Sequence, residues 1–160
     1  MSAFVPGVFL TLALAAPAGA QIDSPPKAVQ SVRAELVRAG GGAELVLTVR
    51  LADGMHVQAN PASEKFLIPV VVAFEREDLA HLANVRYPEA IEKRFGFSPR
   101  ALRVYEGEFI IRVSFKSLPV PNEGRLKGII RYQACTDAAC LPPAQEQFSA
   151  APISPPSPRT

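Results

Sequence analysis

The chain has 160 residues, enough for one domain with a hydrophobic core but hardly for two. Apolar residues make up 48% and charged residues 20%, a globular composition rather than a disordered one. The net charge is only +2 and the basic residues are scattered singly, which excludes the clustered basic footprint of a nucleic-acid binder and a membrane-surface role by charge alone.

The first twenty residues, MSAFVPGVFLTLALAAPAGA, carry no charged side chain and end in Ala18-Gly19-Ala20, the small-x-small pattern cut by signal peptidase. Residues 1–20 are therefore expected to be a signal peptide, with Gln21 as the mature N-terminus, although no Lys or Arg precedes the apolar stretch. Pro6, Gly7, Pro17 and Gly19 leave that stretch shorter than the roughly 20 apolar residues a spanning helix needs. Export places the chain where a cysteine pair can oxidise and stay oxidised.

Residues 21–30 form a polar, proline-bearing linker, and the domain is expected over 31–150. SVRAELVR alternates Val32, Ala34 and Leu36 against Arg33 and Glu35. After Gly40-Gly41-Gly42, AELVLTVRL places Ala43, Leu45, Leu47, Val49 and Leu51 on one face. This period-two pattern predicts a half-buried antiparallel hairpin. Asp53-Gly54 turns the chain into MHVQAN. IPVVVAFE, residues 68–75, is β-branched and suits a strand buried on both faces; residues 76–83 allow a short helical turn. EFIIRVSF sends Phe109, Ile111, Val113 and Phe115 inward, LKGIIRYQA runs directly into Cys135, and QEQFSA can pair at an edge. Residues 151–160 are a proline-rich tail. About seven short strands with no long amphipathic helix predict an all-β fold, an immunoglobulin-like antiparallel β-sandwich. The absence of Trp and of a widely spaced cysteine pair speaks against the antibody type.

The two cysteines, Cys135 and Cys140, lie in YQACTDAACLPP. As a staple the pair is poorly placed: closing six residues is worth about 2 kcal/mol, against about 4.7 for a 100-residue loop. Zinc wants four ligands, and beyond the cysteines the chain offers only His56 and His81, so no metal and no cofactor is expected. A thioredoxin-type centre puts its first thiol at a helix N-terminus, which Pro142-Pro143 prevents here. Such thiols would exchange with a partner whose own thiolate attacks. The residues alone leave a redox pair and a local staple both open.

The stretch from about Val32 to Phe148 resembles the N-terminal periplasmic domain of DsbD, the protein-disulfide reductase of bacterial envelopes. The resemblance is carried by Asp53-Gly54-Met55-His56-Val57 with Asn60-Pro61, Phe66-Leu67-Ile68-Pro69, Tyr87-Pro88, Arg94-Phe95-Gly96-Phe97, Val104-Tyr105-Glu106-Gly107, and the motif from Tyr132 to Pro143. Each piece is weak, and their order and spacing make the signal. It implies an immunoglobulin-like fold whose cysteines cycle between dithiol and disulfide, passing electrons from a membrane domain to periplasmic disulfide isomerases and proteins of cytochrome c maturation. It also implies a cap loop with a shielding aromatic, for which Phe95 is the candidate and Phe97 the reserve, with core packing as the competing role. The best-known members have five residues between the cysteines where this chain has four, and tyrosines where it has His56 and Gln58. Full-length DsbD continues into a multispanning domain and a thioredoxin-like domain, neither of which is in this sequence.

These readings combine into an exported, periplasmic and monomeric thiol-disulfide relay with Cys135 and Cys140 as its reactive pair. Its expected partners are a thioredoxin-like or multispanning membrane thiol donor and periplasmic thiol-disulfide acceptors, with no nucleic acid. Three residues are expected as modulators. His56, read as a strand-end surface group, can assist proton transfer; Asp137, inside the ring, opposes thiolate formation; Arg131, four residues before Cys135 and on its face if the strand is regular, offsets Asp137. The competing reading is a non-catalytic β-sandwich that binds an envelope protein, its disulfide merely shaping the docking loop.

Overall fold

The computed structural model of the chain describes residues 27–120 and 124–153. The expected signal peptide, most of the linker and most of the proline-rich tail lie outside the described residues. Chain order runs β1 (Val29–Ala39), β2 (Gly42–Leu51), β3 (His56–Gln58), β4 (Val71–Phe74), a single helical turn α1 (Arg76–Leu79), β5 (Leu82–Arg86), β6 (Ile91–Lys93) and β7 (Leu102–Glu106). It continues through β8 (Glu108–Phe115), β9 (Leu126–Tyr132), β10 (Ala134–Cys135), β11 (Ala144–Ala150) and β12 (Pro152–Ile153).

The long alternating segments fold as their pattern dictates. β1 and β2 form a hairpin in which Ala39 faces Gly42, turned by Gly40 and Gly41 at φ 50° and 87°, a region glycine enters at little cost. In β2, Ala43, Leu45, Leu47, Val49 and Leu51 are all buried, and in β8 so are Phe109, Ile111, Val113 and Phe115. The two strands pair in register from Ala43↔Phe115 to Arg50↔Glu108. The five-stranded sheet runs β12-β1-β2-β8-β5, antiparallel except where β12 lies parallel to β1 with Leu36 beside Pro152. β1 begins at Val29, inside the segment expected as linker, and Ala28 and Val29 are both buried.

A three-stranded sheet, β11-β9-β4, supplies the opposing layer. One core joins Leu36, Leu45, Leu47 and Ile111 of the first sheet to Leu126, Ile130 and Phe148 of the second. The Phe74 ring meets Phe115 and Phe148 edge-on, with centroids 5.6 and 5.9 Å apart, and so ties the layers together. The result is an all-β, immunoglobulin-like sandwich. One segment departs from its pattern. IPVVVAFE is an edge strand, not a doubly buried one: only Val71–Phe74 is extended, it pairs with β9 alone, and Val71 is exposed. QEQFSA takes the opposite edge of the same sheet, as its sequence predicts.

The third sheet, β10-β3-β7-β6, positions the site. β3 is one of its two inner strands, three residues that are all buried. The chain leaving β3 is folded back onto it. Val70 N–H donates to the Gln58 carbonyl at 2.9 Å, Asn60 Nδ2 donates to the Val70 carbonyl at 2.9 Å, and Asn60 N–H donates to the Tyr105 hydroxyl at 3.2 Å. These bonds bring Leu67 against a small second core of Phe95, Leu102 and Val104.

Candidate functional site

The cysteines sit on a hairpin of minimum size. Cys135 ends β10, and Cys140 faces it across an antiparallel bridge with Cα atoms 3.8 Å apart and the sulfurs bonded at 1.98 Å. Thr136 shapes the turn between them. Its N–H donates to the Ala139 carbonyl at 2.8 Å, and its hydroxyl oxygen accepts from the N–H groups of Ala138 and Ala139 at 3.3 and 3.2 Å. Leu141 N–H donates to the Ala134 carbonyl at 2.7 Å, and Gln133 Nε2 donates to the Leu141 carbonyl at 3.2 Å, fixing the return path. Pro142 and Pro143 then stand exposed before β11. The ring is asymmetric toward solvent: Cys135 is fully buried and Cys140 only partly so.

Beneath Cys135 lies β3. Its register pairs Cys135 with His56, and Gln58 Nε2 approaches the Cys135 Sγ at 3.6 Å. Both His56 and Gln58 are fully buried. Neither His56 ring nitrogen nor the Gln58 Oε1 has a partner at full hydrogen-bonding geometry, although the Thr136 backbone lies close enough to the imidazole to act on it. Leaving a buried polar group unpaired costs about 1–3 kcal/mol, so these two side chains are held at the cysteines against their own solvation. Burial pushes the His56 pKa below its ordinary 6.5, and the neighbouring Lys93 charge pushes the same way. The carboxylates of Glu106 and Asp137 and the backbone of Thr136 oppose that shift without reversing it.

A second hairpin, between β6 and β7, folds over this pair. Phe95 at its tip is buried, and its ring stacks on His56 with centroids 4.1 Å apart and planes 21° apart. Phe97 stacks on the other side of Phe95 at 5.3 Å and is 39% exposed, so it forms the outer leaf of the stack. Lys93, at the foot of the hairpin, hangs 5.6 Å from the Phe95 ring centre. Its ammonium lies 2.5 Å from Glu106 and 3.3 Å from Asp137. The Glu106 bond foremost, and Asp137 with it, hold the Lys93 pKa above its usual value.

Cys135, Cys140, Phe95, Phe97, His56 and Asp137 thus converge. Two readings of the sequence are corrected. His56 is not a surface group: it is fully buried, because β3 is an inner strand of its sheet and the Phe95 ring stacks on the imidazole. Arg131 does not offset Asp137: it lies on β9 between Val71 and Gln145, in the three-stranded sheet, exposed. The chain changes sheets between Tyr132 and Ala134, so face counting from Arg131 to Cys135 fails. The cation that meets Asp137 is Lys93, which, like Glu106, sequence reasoning missed. The one available hint is that Lys93 directly precedes the Arg94-Phe95-Gly96 stretch. His81 bonds the Ser117 hydroxyl at 2.6 Å, and no group of three or more His, Cys, Asp or Glu able to hold a metal occurs among the described residues.

Chemically, the arrangement offers a disulfide with one reachable sulfur, a buried partner sulfur as leaving group, and an N–H donor and an imidazole beside that leaving group. Comparison with known proteins agrees with such a site. The family described as "Thiol:disulfide interchange protein DsbD, N-terminal" matches residues 23–152. Among solved structures, the reduced DsbD N-terminal domain of Neisseria meningitidis superposes with a TM-score of 0.51 at 24% identity, covering 84% of this chain and 94% of that one. The N-terminal periplasmic domain of ScsB from Proteus mirabilis gives a TM-score of 0.55 at 14% identity over 74% of this chain and 44% of that one. Likeness at these identities is a likeness of fold. No curated protein sequence matches the chain.

Proposed function

The chain belongs to the DsbD N-terminal domain family, a family of thiol:disulfide interchange modules, and from that premise we propose that it works as an exported electron relay. Thiol-disulfide exchange is the activity of such a module, and Cys135–Cys140 is the pair this chain brings to it. The observation that carries the relay reading is the asymmetry of the ring: Cys140 partly open, Cys135 sealed beneath it, and Phe95 closing the neighbouring face.

In the forward half-reaction a donor thiolate attacks the Cys140 Sγ, the S–S bond breaks, and Cys135 leaves as thiolate. The donor's second thiol, on losing its proton, attacks its own sulfur in the mixed disulfide and releases Cys140. The donor is oxidised by two electrons, the ring is reduced to a dithiol, and the same steps in reverse deliver the electrons to an acceptor disulfide. The donor is a thioredoxin-like or multispanning membrane thiol protein. The acceptors are periplasmic thiol-disulfide proteins, including those of cytochrome c maturation. The chain acts as a monomer in the periplasm, reached through a cleaved signal peptide at 1–20. Phe95 shields the site until a partner displaces its hairpin, with Phe97 as the outer layer.

The test is the reduction potential of the pair against glutathione, together with the rate of exchange with a thioredoxin-like donor. A potential well below about −300 mV and no reduction by the donor would make the bond structural. Replacing both cysteines by serine must likewise abolish electron transfer while leaving the fold intact.

A further inference from the structure

We propose that His56 is the base that takes the proton from the buried Cys135 thiol when that thiol resolves a mixed disulfide on Cys140. The inference deepens the exchange reading and rests on it.

When the reduced ring acts on an acceptor, Cys140, the partly exposed member, attacks as thiolate and forms Cys140–S–S–acceptor, releasing one acceptor thiolate. Cys135 must then ionise to displace the second. Solvent does not reach it there, since Cys135 is fully buried. Something inside the protein has to accept the proton. Directly opposite residues on antiparallel strands have neighbouring side chains on one face, and the residue opposite Cys135 is His56. Neither ring nitrogen meets a partner at full hydrogen-bonding geometry, and the Thr136 backbone is the one group close enough to act on the ring as a hydrogen-bond acceptor, so a lone pair is left for the thiol. Gln58, two residues on and on the same face, directs Nε2 at the Cys135 sulfur and supplies the hydrogen bond that a thiolate needs.

The groups around the imidazole keep it ready for this role. Burial foremost, and Lys93 on β6 with it, favour the neutral form that can accept a proton; Glu106 on β7, Asp137 in the ring and the Thr136 backbone act in the imidazolium's favour once it forms. Phe95 stacks on one face of the ring, and the cysteine strand runs beside the His56 backbone. The step balances. Cys135–SH passes its proton to His56, the resulting thiolate attacks Cys140–S–S–acceptor, the Cys135–Cys140 bond forms, and the second acceptor thiolate leaves to be protonated.

The reduced protein can be mixed with 5,5′-dithiobis(2-nitrobenzoate), an aromatic disulfide that releases one coloured thiolate when Cys140 attacks and a second when Cys135 resolves. Stopped-flow traces across pH separate the two phases. In the unaltered protein the second phase should rise through an inflection below pH 6.5 and then level off. In His56→Phe, which keeps an aromatic ring against Phe95, the first phase should be unchanged. The second should slow by about 100-fold near neutrality and climb steadily with pH as the thiol ionises unaided. A second phase in the unaltered protein without that inflection overturns the proposal whether or not the variant folds. So does a His56→Phe protein with unchanged rate and profile. Failure to release either thiolate would overturn the exchange reading as well, whereas two phases with the second indifferent to His56 would overturn this inference alone.

Discussion

The ammonium of Lys93 lies 3.3 Å from the carboxylate of Asp137, joining the foot of the hairpin that carries Phe95 to the inside of the cysteine ring. Asp137 is three-quarters exposed, so the pair is weak in energy and its effect is one of placement. Removing the carboxylate also takes a negative charge away from the sulfur that an anionic thiolate must approach. Both consequences act in one direction. Asp137→Asn should speed reduction of the ring by glutathione by less than about fivefold, because an ion pair this exposed is largely screened by solvent. The gain should shrink as salt is raised from low to high ionic strength. A slower reaction would contradict this account.

Phe95 buries its ring between His56, Phe97, Leu102 and Val104. Phe95→Ala should lower stability by about 3 kcal/mol in urea denaturation and raise the rate at which dithiothreitol opens the disulfide. If stability falls and the opening rate does not change, Phe95 is a packing residue with no shielding role.

The single cysteine variants should behave unequally. Cys135→Ser leaves the partly exposed Cys140 to form a mixed disulfide that nothing resolves, which mass spectrometry would detect as a stable adduct with a thioredoxin-like donor. Cys140→Ser leaves only the buried Cys135, which should react far more slowly with the same donor. Equal reactivity would show that the ring opens as readily from either side.

His56 also links stability to pH. Its pKa in the folded chain is lowered by burial and by Lys93, whereas the unfolded chain titrates near 6.5. Between those two values the unfolded state binds more protons, so stability rises with pH across that window. The contribution is complete above pH 6.5 and is lost as pH falls through the folded value. Melting temperature should therefore drop on acidification below pH 6.5, and His56→Phe should flatten that part of the curve. An unchanged slope would place the acid sensitivity elsewhere.

Far from the cysteines, Gly128 on β9 lies under the Phe148 ring. A Cβ there would come within 2.4 Å of Phe148 Cζ and 2.9 Å of the Ala73 carbonyl. Gly128→Ala should cost about 1–3 kcal/mol in chemical denaturation by pushing the β11 and β4 edges off β9, while the exchange chemistry persists in the folded fraction.

The sequence made the sandwich legible wherever a strand obeyed its two-residue period over many residues. β2 and β8 buried the residues their alternation named, and the resemblance, not the cysteine spacing, singled out the Arg94-Phe95-Gly96 stretch whose Phe95 stacks beside the cysteine strand. Three residues escaped for one shared reason. Lys93, Glu106 and the burial of His56 all depend on which strand lies beside which, and β3, β6 and β10 have three, three and two residues, too short to carry a pattern. The IPVVVAFE run misled in the opposite way: its composition promised a central strand, and its place at the edge of a three-stranded sheet was set by β9 and β11.

The strand order β10-β3-β7-β6 has a mechanical consequence. The disulfide hangs from one side of β3 and the Phe95 hairpin from the other, so both are hinged on one buried three-residue spine without sharing a backbone bond across it. Swinging the hairpin aside need not disturb the ladder between His56–Val57 and Ala134–Cys135. On the proposed shielding role of Phe95, a docking partner that lifts the hairpin would therefore meet sulfurs and an imidazole still held in register by β3 and β10.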